Sequence, residues 1–89
     1  MKNNTVTQKD IDRLMDSAEV SVYTVNDKCT VVTVRLENGF VITESSACAD
    51  PANYDIKLGM DICLDRIKNK LWELEGYCLQ KKLHERGEF

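Results

Sequence analysis

The sequence has 89 residues, of which 43% are hydrophobic and 30% are charged, with four glycines and a single proline. This length accommodates one small domain, and the composition excludes a disordered or collagen-like chain. The formal net charge of −3 argues against a protein that mainly coats nucleic acid, because such proteins present a basic surface. We therefore expect no nucleic-acid partner.

Residues 1–5 lead into no apolar run, and no apolar stretch reaches the ~18 residues that suggest a membrane span. We therefore expect neither a signal peptide nor a membrane anchor. We expect the protein to stay in the cytoplasm, where it is made.

The four cysteines, Cys29, Cys48, Cys63 and Cys78, include no closely spaced pair, and the single histidine, His84, lies near the C-terminus. Zinc sites use ligands a few residues apart, so we expect no metal site and no cofactor. A chain that is not exported favours reduced, buried thiols.

The first predicted element is a short helix over residues 8–18. Thr7 and Asp10 have the three-residue spacing of a capping box, which marks a helix start. The apolar residues that follow have the spacing of one helical face: Ile11, Leu14, Met15 and Ala18. A helix this short must pack against another element to be stable.

Three segments rich in β-branched residues follow, at 20–25, 29–36 and 40–44. Turn residues separate them, including Asn38-Gly39, a strong hairpin signal, so we predict an antiparallel meander. Alternation divides the second strand into a core face of Thr30, Val32, Val34 and Leu36 and a second face of Cys29, Val31, Thr33 and Arg35. The second face is either covered by a neighbour or lines a pocket.

A long helix is predicted from Pro51 to about Leu83, with Asp50 as its cap; a cap at Asn53 would start it one turn later. One apolar stripe is typical of a core face: Met60, Cys63, Leu64, Ile67, Leu71, Leu74 and Cys78. A second stripe has no obvious partner within the chain: Ile62, Trp72, Leu79 and Leu83.

Such a helix is on the order of 50 Å long, whereas a compact domain of this size is about 30 Å across. The helix must either break, for example near Gly76, or extend past the rest of the domain. We predict a single α+β domain over 1–89 with a flexible segment over 1–6 and a frayed tail over 84–89. We also predict a homo-oligomer that covers the second stripe.

Three segments are similar to a family of small bacteriophage and prophage proteins: TVVTVRLENGF (30–40), SACADPANYD (46–55) and KLWELEGY (70–77). The similarity covers about residues 28–83. The chain further resembles Thoeris anti-defence proteins, which look like oligomeric sponges. These bind a cyclic ADP-ribose-type signal made by bacterial TIR proteins, some also bind cyclic oligonucleotides, and they do not cleave the ligand. The resemblance implies a protein that sequesters a nucleotide messenger in the cytoplasm of the bacterial host.

A sponge needs cations or helix N-termini for phosphates, and flat side chains for stacking on bases. The candidates are Arg35, Lys28 and Arg66 as cations, Phe40, Tyr23 and Tyr54 as stacking partners, and Asn53 for a base edge. Each also has an ordinary structural interpretation. Arg35 would balance Glu37 or Glu44, Phe40 would join the core, and Asn53 would cap a helix. The second stripe, with Trp72 as its anchor, is the predicted oligomer interface.

Two other functions are weaker interpretations of the sequence. A phage accessory factor would bind a host or phage protein through the spare apolar face of the long helix. An enzyme is the poorest interpretation, because the chain has no Gly-rich phosphate loop, Ser-His-Asp set or carboxylate pair with metal spacing.

Overall fold

The computed structural model describes residues 4–88. Its helices and strands, in chain order, are α1 (Gln8–Asp16), β1 (Glu19–Val25), β2 (Cys29–Arg35), β3 (Val41–Ala47) and α2 (Ile56–Glu85), with a 3₁₀ turn at Pro51–Asn53. The three strands form one antiparallel sheet in the order β1-β2-β3. The predicted α+β fold, a meander between a short and a long helix, is confirmed.

The start of the long helix differs from both predicted starts. Asp50 caps only the 3₁₀ turn, where its Oδ1 accepts the Ala52 N–H at 2.9 Å. Asp55 is the cap of α2, because its Oδ1 accepts the N–H groups of the first turn at 3.0 and 3.2 Å. The residues between the two caps connect β3 to α2. Strand β3 also differs from its prediction, because it continues to Ala47, three residues beyond the predicted end.

The capping box at the start of α1 is confirmed. The Thr7 hydroxyl accepts the Asp10 N–H, and the Asp10 carboxylate accepts the Thr7 N–H at 2.9 Å. That backbone hydrogen bond is the main cause that lowers the pKa of Asp10.

The described residues include part of each chain end. Val6 packs against the core, although the sequence predicts a flexible segment over 1–6. Residues 84 and 85, predicted in a frayed tail, belong to α2. Residues 1–3 and 89 lie outside the described residues.

The core lies between α2, α1 and one face of the sheet. Its buried members are Ile11, Val32, Val34, Leu36, Ile42, Cys63, Ile67 and Leu71. The predicted core face of β2 is therefore confirmed, whereas the core stripe of α2 ends early: Leu74 is 39% exposed and Cys78 is exposed. The physical reason is that α2 runs past the sheet. It continues unbroken through Gly76 for 30 residues in a molecule of 55 × 21 × 19 Å.

Helix α2 approaches the sheet closely at Gly59 and Thr30. Thr30 is fully buried, and its hydroxyl lies 2.8 Å from the Tyr54 hydroxyl, which also lies 2.9 Å from that of Thr24. A Cβ at position 59 would overlap Thr30 Oγ1 and lie 2.8 Å from Thr30 Cβ. Glycine is required here because any side chain would push α2 off β2.

Gly59→Ala should destabilise the protein. The overlap with Thr30 costs about 1–3 kcal/mol, which exceeds the gain of up to about 1 kcal/mol in helix propensity. Gly76→Ala is the matched control in the same helix, because a Cβ added at position 76 would meet nothing within 4 Å. Urea unfolding followed by circular dichroism should show a lower midpoint for the first variant and an equal or higher one for the second. Equal midpoints for both variants would contradict the close approach.

Candidate functional site

The face of the sheet that points away from α2 is not covered by any described element, and we call it the open sheet face. The strand register arranges its side chains in four cross-strand rows. In order along the sheet these rows are Glu19–Arg35–Val41, Ser21–Thr33–Thr43, Tyr23–Val31–Ser45 and Val25–Cys29–Ala47.

Two of the predicted ligand residues, Tyr23 and Arg35, share this face. Tyr23 is 54% exposed and its ring is free to stack. The Arg35 side chain is 62% exposed, and its Nη2 lies 3.6 Å from Glu19 Oε1. An exposed ion pair of this kind contributes little stability, so Arg35 can exchange Glu19 for another anion at small cost.

A row of three hydroxyl side chains, Ser21, Thr33 and Thr43, lies between Arg35 and Tyr23. Val31, the cross-strand partner of Tyr23, is four residues from Arg35, which corresponds to about 13 Å along the strand. Along the direction of the strands, the face therefore presents a ring for stacking, then a row of hydrogen-bonding hydroxyls, then a cation. Such a set suits a polar ligand that carries both a flat base and phosphate.

Lys28 lies in the β1–β2 turn, beside the row that contains Cys29. Its carbonyl accepts the Cys48 N–H at 3.0 Å. The turn that carries Lys28 places Asn26 and Asp27 at φ values of 55° and 57°. These two residue types tolerate the left-handed region better than other non-glycine residues.

Tyr54 and Asn53 lie away from the open sheet face. The Tyr54 hydroxyl joins Thr24 to Thr30 on the helix side of the sheet, so this residue has the structural role of a link between β1, β2 and the start of α2. Asn53 ends the 3₁₀ turn and lines, with Tyr54 and Gly59, a cavity of about 130 Å³.

Arg66 and Phe40 also lie elsewhere. Arg66 Nη1 donates to the Ser45 carbonyl oxygen at 2.9 Å and so fastens α2 to the outer edge of β3. Phe40, which is 49% exposed, lines a cleft of about 260 Å³ at the opposite end of the sheet from Tyr54. The remaining residues of this cleft are Leu14, Leu36, Asn38, Leu71, Leu74, Glu75 and Cys78, and most are apolar.

The predicted oligomer interface on α2 is only partly exposed. Trp72 is 37% exposed, Ile62 and Leu79 are half-buried, and Leu83 is 6% exposed. Leu83 is therefore already buried in the single chain, and the interface on the other three residues stays a prediction.

The four cysteines are all free. Cys63 is buried, and this burial raises the pKa of its thiol. The expectation of buried thiols is wrong for Cys78, which is exposed because the sheet does not reach its turn of α2.

No helix within residues 4–88 is long and apolar enough to cross a membrane. The same residues hold no group of three or more side chains arranged to bind a metal ion.

Residues 6–83 match the family model described as "Phage protein (N4 Gp49/phage Sf6 gene 66) family". The chain belongs to this phage protein family. No curated protein and no solved structure matches it. The resemblance to small bacteriophage proteins is thereby confirmed at the level of the family.

Sequence reasoning missed the hydroxyl row of this phage family member. Each strand alternates, so Ser21, Thr33 and Thr43 could each be assigned to the face opposite the core. Their alignment into one row depends on the register of both hairpins, and only the structure shows it.

The structural role of Tyr54 in this phage protein is testable. Tyr54→Phe should lower the free energy of unfolding by about 1–3 kcal/mol, because it removes two hydrogen bonds and leaves the buried Thr30 hydroxyl without its partner. Tyr77→Phe should leave stability unchanged, because Tyr77 is 68% exposed. Urea unfolding measures both effects, and an unchanged midpoint for Tyr54→Phe would show that the link is dispensable.

Proposed function

We propose that this phage protein sequesters a cyclic nucleotide immune signal, of the cyclic ADP-ribose or cyclic oligonucleotide type, without cleaving it. It would thereby inhibit Thoeris-type or related host immunity. The resemblance to Thoeris anti-defence proteins supports the ligand class. One structural observation carries the proposal: Tyr23 and Arg35 share an uncovered sheet face with a row of hydroxyls between them.

The chemistry of this face matches that of the ligand. Stacking of a base on an aromatic ring contributes about 1–3 kcal/mol, and Tyr23 provides such a ring. Arg35 can hold phosphate oxygens by charge-assisted hydrogen bonds. Hydroxyls of Ser21, Thr33 and Thr43 can donate to, or accept from, ribose and base atoms. Lys28 adds a second cation near the other end of the face.

The face is open, whereas small-molecule sites normally enclose most of the ligand surface. Tight sequestration therefore calls for a second wall, and a second copy of the chain is the simplest source. Self-association is therefore part of the proposed function. The protein would act in the host cytoplasm, where such signals are made.

Isothermal titration with a cyclic ADP-ribose isomer and with cyclic trinucleotides tests this function. We expect heat of binding with at least one of them, and recovery of the intact ligand after heat denaturation of the complex. Tyr23→Ala and Arg35→Ala should each weaken binding at least tenfold, in line with the loss of one stacking or one charged contact. Tyr77→Ala, which changes an exposed tyrosine on α2, is the matched control and should bind as the parent protein does.

Absence of heat with every ligand, from a folded protein, would contradict the proposal. Equal losses in all three variants would show that the binding surface is not the open sheet face. Release of a cleaved ligand would contradict sequestration.

A second candidate function is supported by the apolar cleft beside Phe40. Leu74 is 39% exposed and lines both this cleft and the groove next to β3, so a helix or strand of another protein could cover it. We propose, as the alternative, an accessory protein that binds a host or phage protein there.

Leu74→Asp and Tyr23→Ala separate the two functions in a phage-infection assay with a defended host. If the protein is a sponge, Tyr23→Ala should abolish its protective effect and Leu74→Asp should retain it, because Leu74 is not on the open sheet face. If it acts through a protein partner at the cleft, the two results should be reversed. Circular dichroism of both variants controls for folding.

A further inference from the structure

The outer edge of β1 is long and unprotected. All seven residues of β1 pair with β2 on one side, and β1 is the last strand of the sheet on the other. Its sequence, EVSVYTV, contains no proline, lysine or arginine, and only Glu19 is charged. Strand edges of this kind pair with other chains unless charge, proline or a covering element prevents it.

The opposite edge of the sheet, along β3, is partly occupied by side chains of α2. Arg66 Nη1 donates a hydrogen bond to the Ser45 carbonyl oxygen of β3 at 2.9 Å. Lys70 of α2 forms an ion pair with Glu44 of β3. Helix α2 packs on β2 and β3 rather than over β1. At the β1 edge, in contrast, Val20 is 44% exposed although it lies on the helix side of the sheet. Side chains of α2 therefore contact the edge strand β3, whereas the outer edge of β1 stays available.

We propose that β1 pairs with β1 of a second copy of this chain, antiparallel and about a two-fold axis at Val22. This register is the one that pairs all seven residues, with Glu19 opposite Val25 of the partner subunit. The backbone groups along the outer edge of β1 become hydrogen-bonded, and the two meanders form one six-stranded sheet. The contact is self-complementary, as a two-fold interface requires.

The proposed pairing also joins the two open sheet faces, and this consequence rests on the proposed function. Tyr23 lies opposite Ser21 of the partner subunit and diagonal to Tyr23 of the partner subunit. Diagonal neighbours on one face are about 7–8 Å apart. A planar base between two rings needs about 3.5–4 Å on each side, so the two tyrosines are spaced to hold one base between them. The partner copy would thus complete the ligand site.

Charge substitutions at Val25 test the register. Val25 is 41% exposed, so either charge is tolerated in the monomer. Val25→Glu places like charges opposite each other at both ends of the interface, because Glu19 of the partner subunit faces position 25, whereas Val25→Lys places opposite charges there. We expect sedimentation equilibrium at low salt to give a dimer dissociation constant about tenfold higher for the Glu variant than for the Lys variant. The difference should shrink as salt is added.

Val41 on β3 supplies the matched control, because it is 53% exposed on the edge strand that lies far from the proposed interface. Val41→Glu and Val41→Lys should dimerise equally well. A monomeric parent protein, or equal dissociation constants for the two Val25 variants, would overturn the proposed pairing.

The failure of this proposal is distinguishable from a failure of the proposed function. If the protein forms a dimer with the predicted charge dependence but binds no cyclic nucleotide, the β1 pairing is supported and the proposed function is contradicted. If a monomeric protein binds the nucleotide, the proposed function is supported and the β1 pairing is contradicted.

Discussion

The fold depends on how closely α2 can lie on β2, and one contact sets that distance. Thr30 is the buried polar side chain of the described core, and Gly59 is the residue of α2 that faces it. The Thr30 hydroxyl is satisfied by Tyr54, so it is buried at little cost. Because the helix is in contact here, the apolar residues that follow it, Cys63, Ile67 and Leu71, reach the sheet and form the core.

This docking divides the molecule into a covered and an uncovered half. Helix α2 covers one face of the sheet, and its Arg66 donates to one carbonyl of the edge strand β3. It leaves the opposite face and the outer edge of β1 accessible. The proposed nucleotide site and the proposed β1 pairing use these uncovered surfaces: the ligand would lie on the face, and the second copy would pair at the edge. One geometric cause, the position of α2 over β2 and β3, therefore underlies both.

Two of the three segments that carry the family resemblance lie outside the proposed ligand surface, whereas the third, residues 30–40, includes most of β2 and therefore part of that surface. The segment 46–55 has mainly structural roles: Asp50 and Asp55 cap the two helical elements, and Tyr54 holds Thr24 and Thr30. The segment 70–77 contributes an ion pair from Lys70 and a buried Leu71. The open sheet face is built instead by β1, β2 and β3. The proposed ligand must therefore be tested on the sheet.

The alternation of side chains and the turn residues determined much of this protein from the sequence alone. They predicted three strands, the Asn38-Gly39 hairpin, the buried face of β2 and the capping box at Thr7, because each depends on neighbours along the chain. They also placed Arg35 on the face opposite the core. Contacts between distant segments decided the rest. The start of α2 at Asp55, the burial of Leu83 and the exposure of Leu74 follow from where the helix docks and where the sheet ends. The row of Ser21, Thr33 and Thr43 follows from strand register, because a hydroxyl's cross-strand neighbours belong to other strands and local sequence does not specify them.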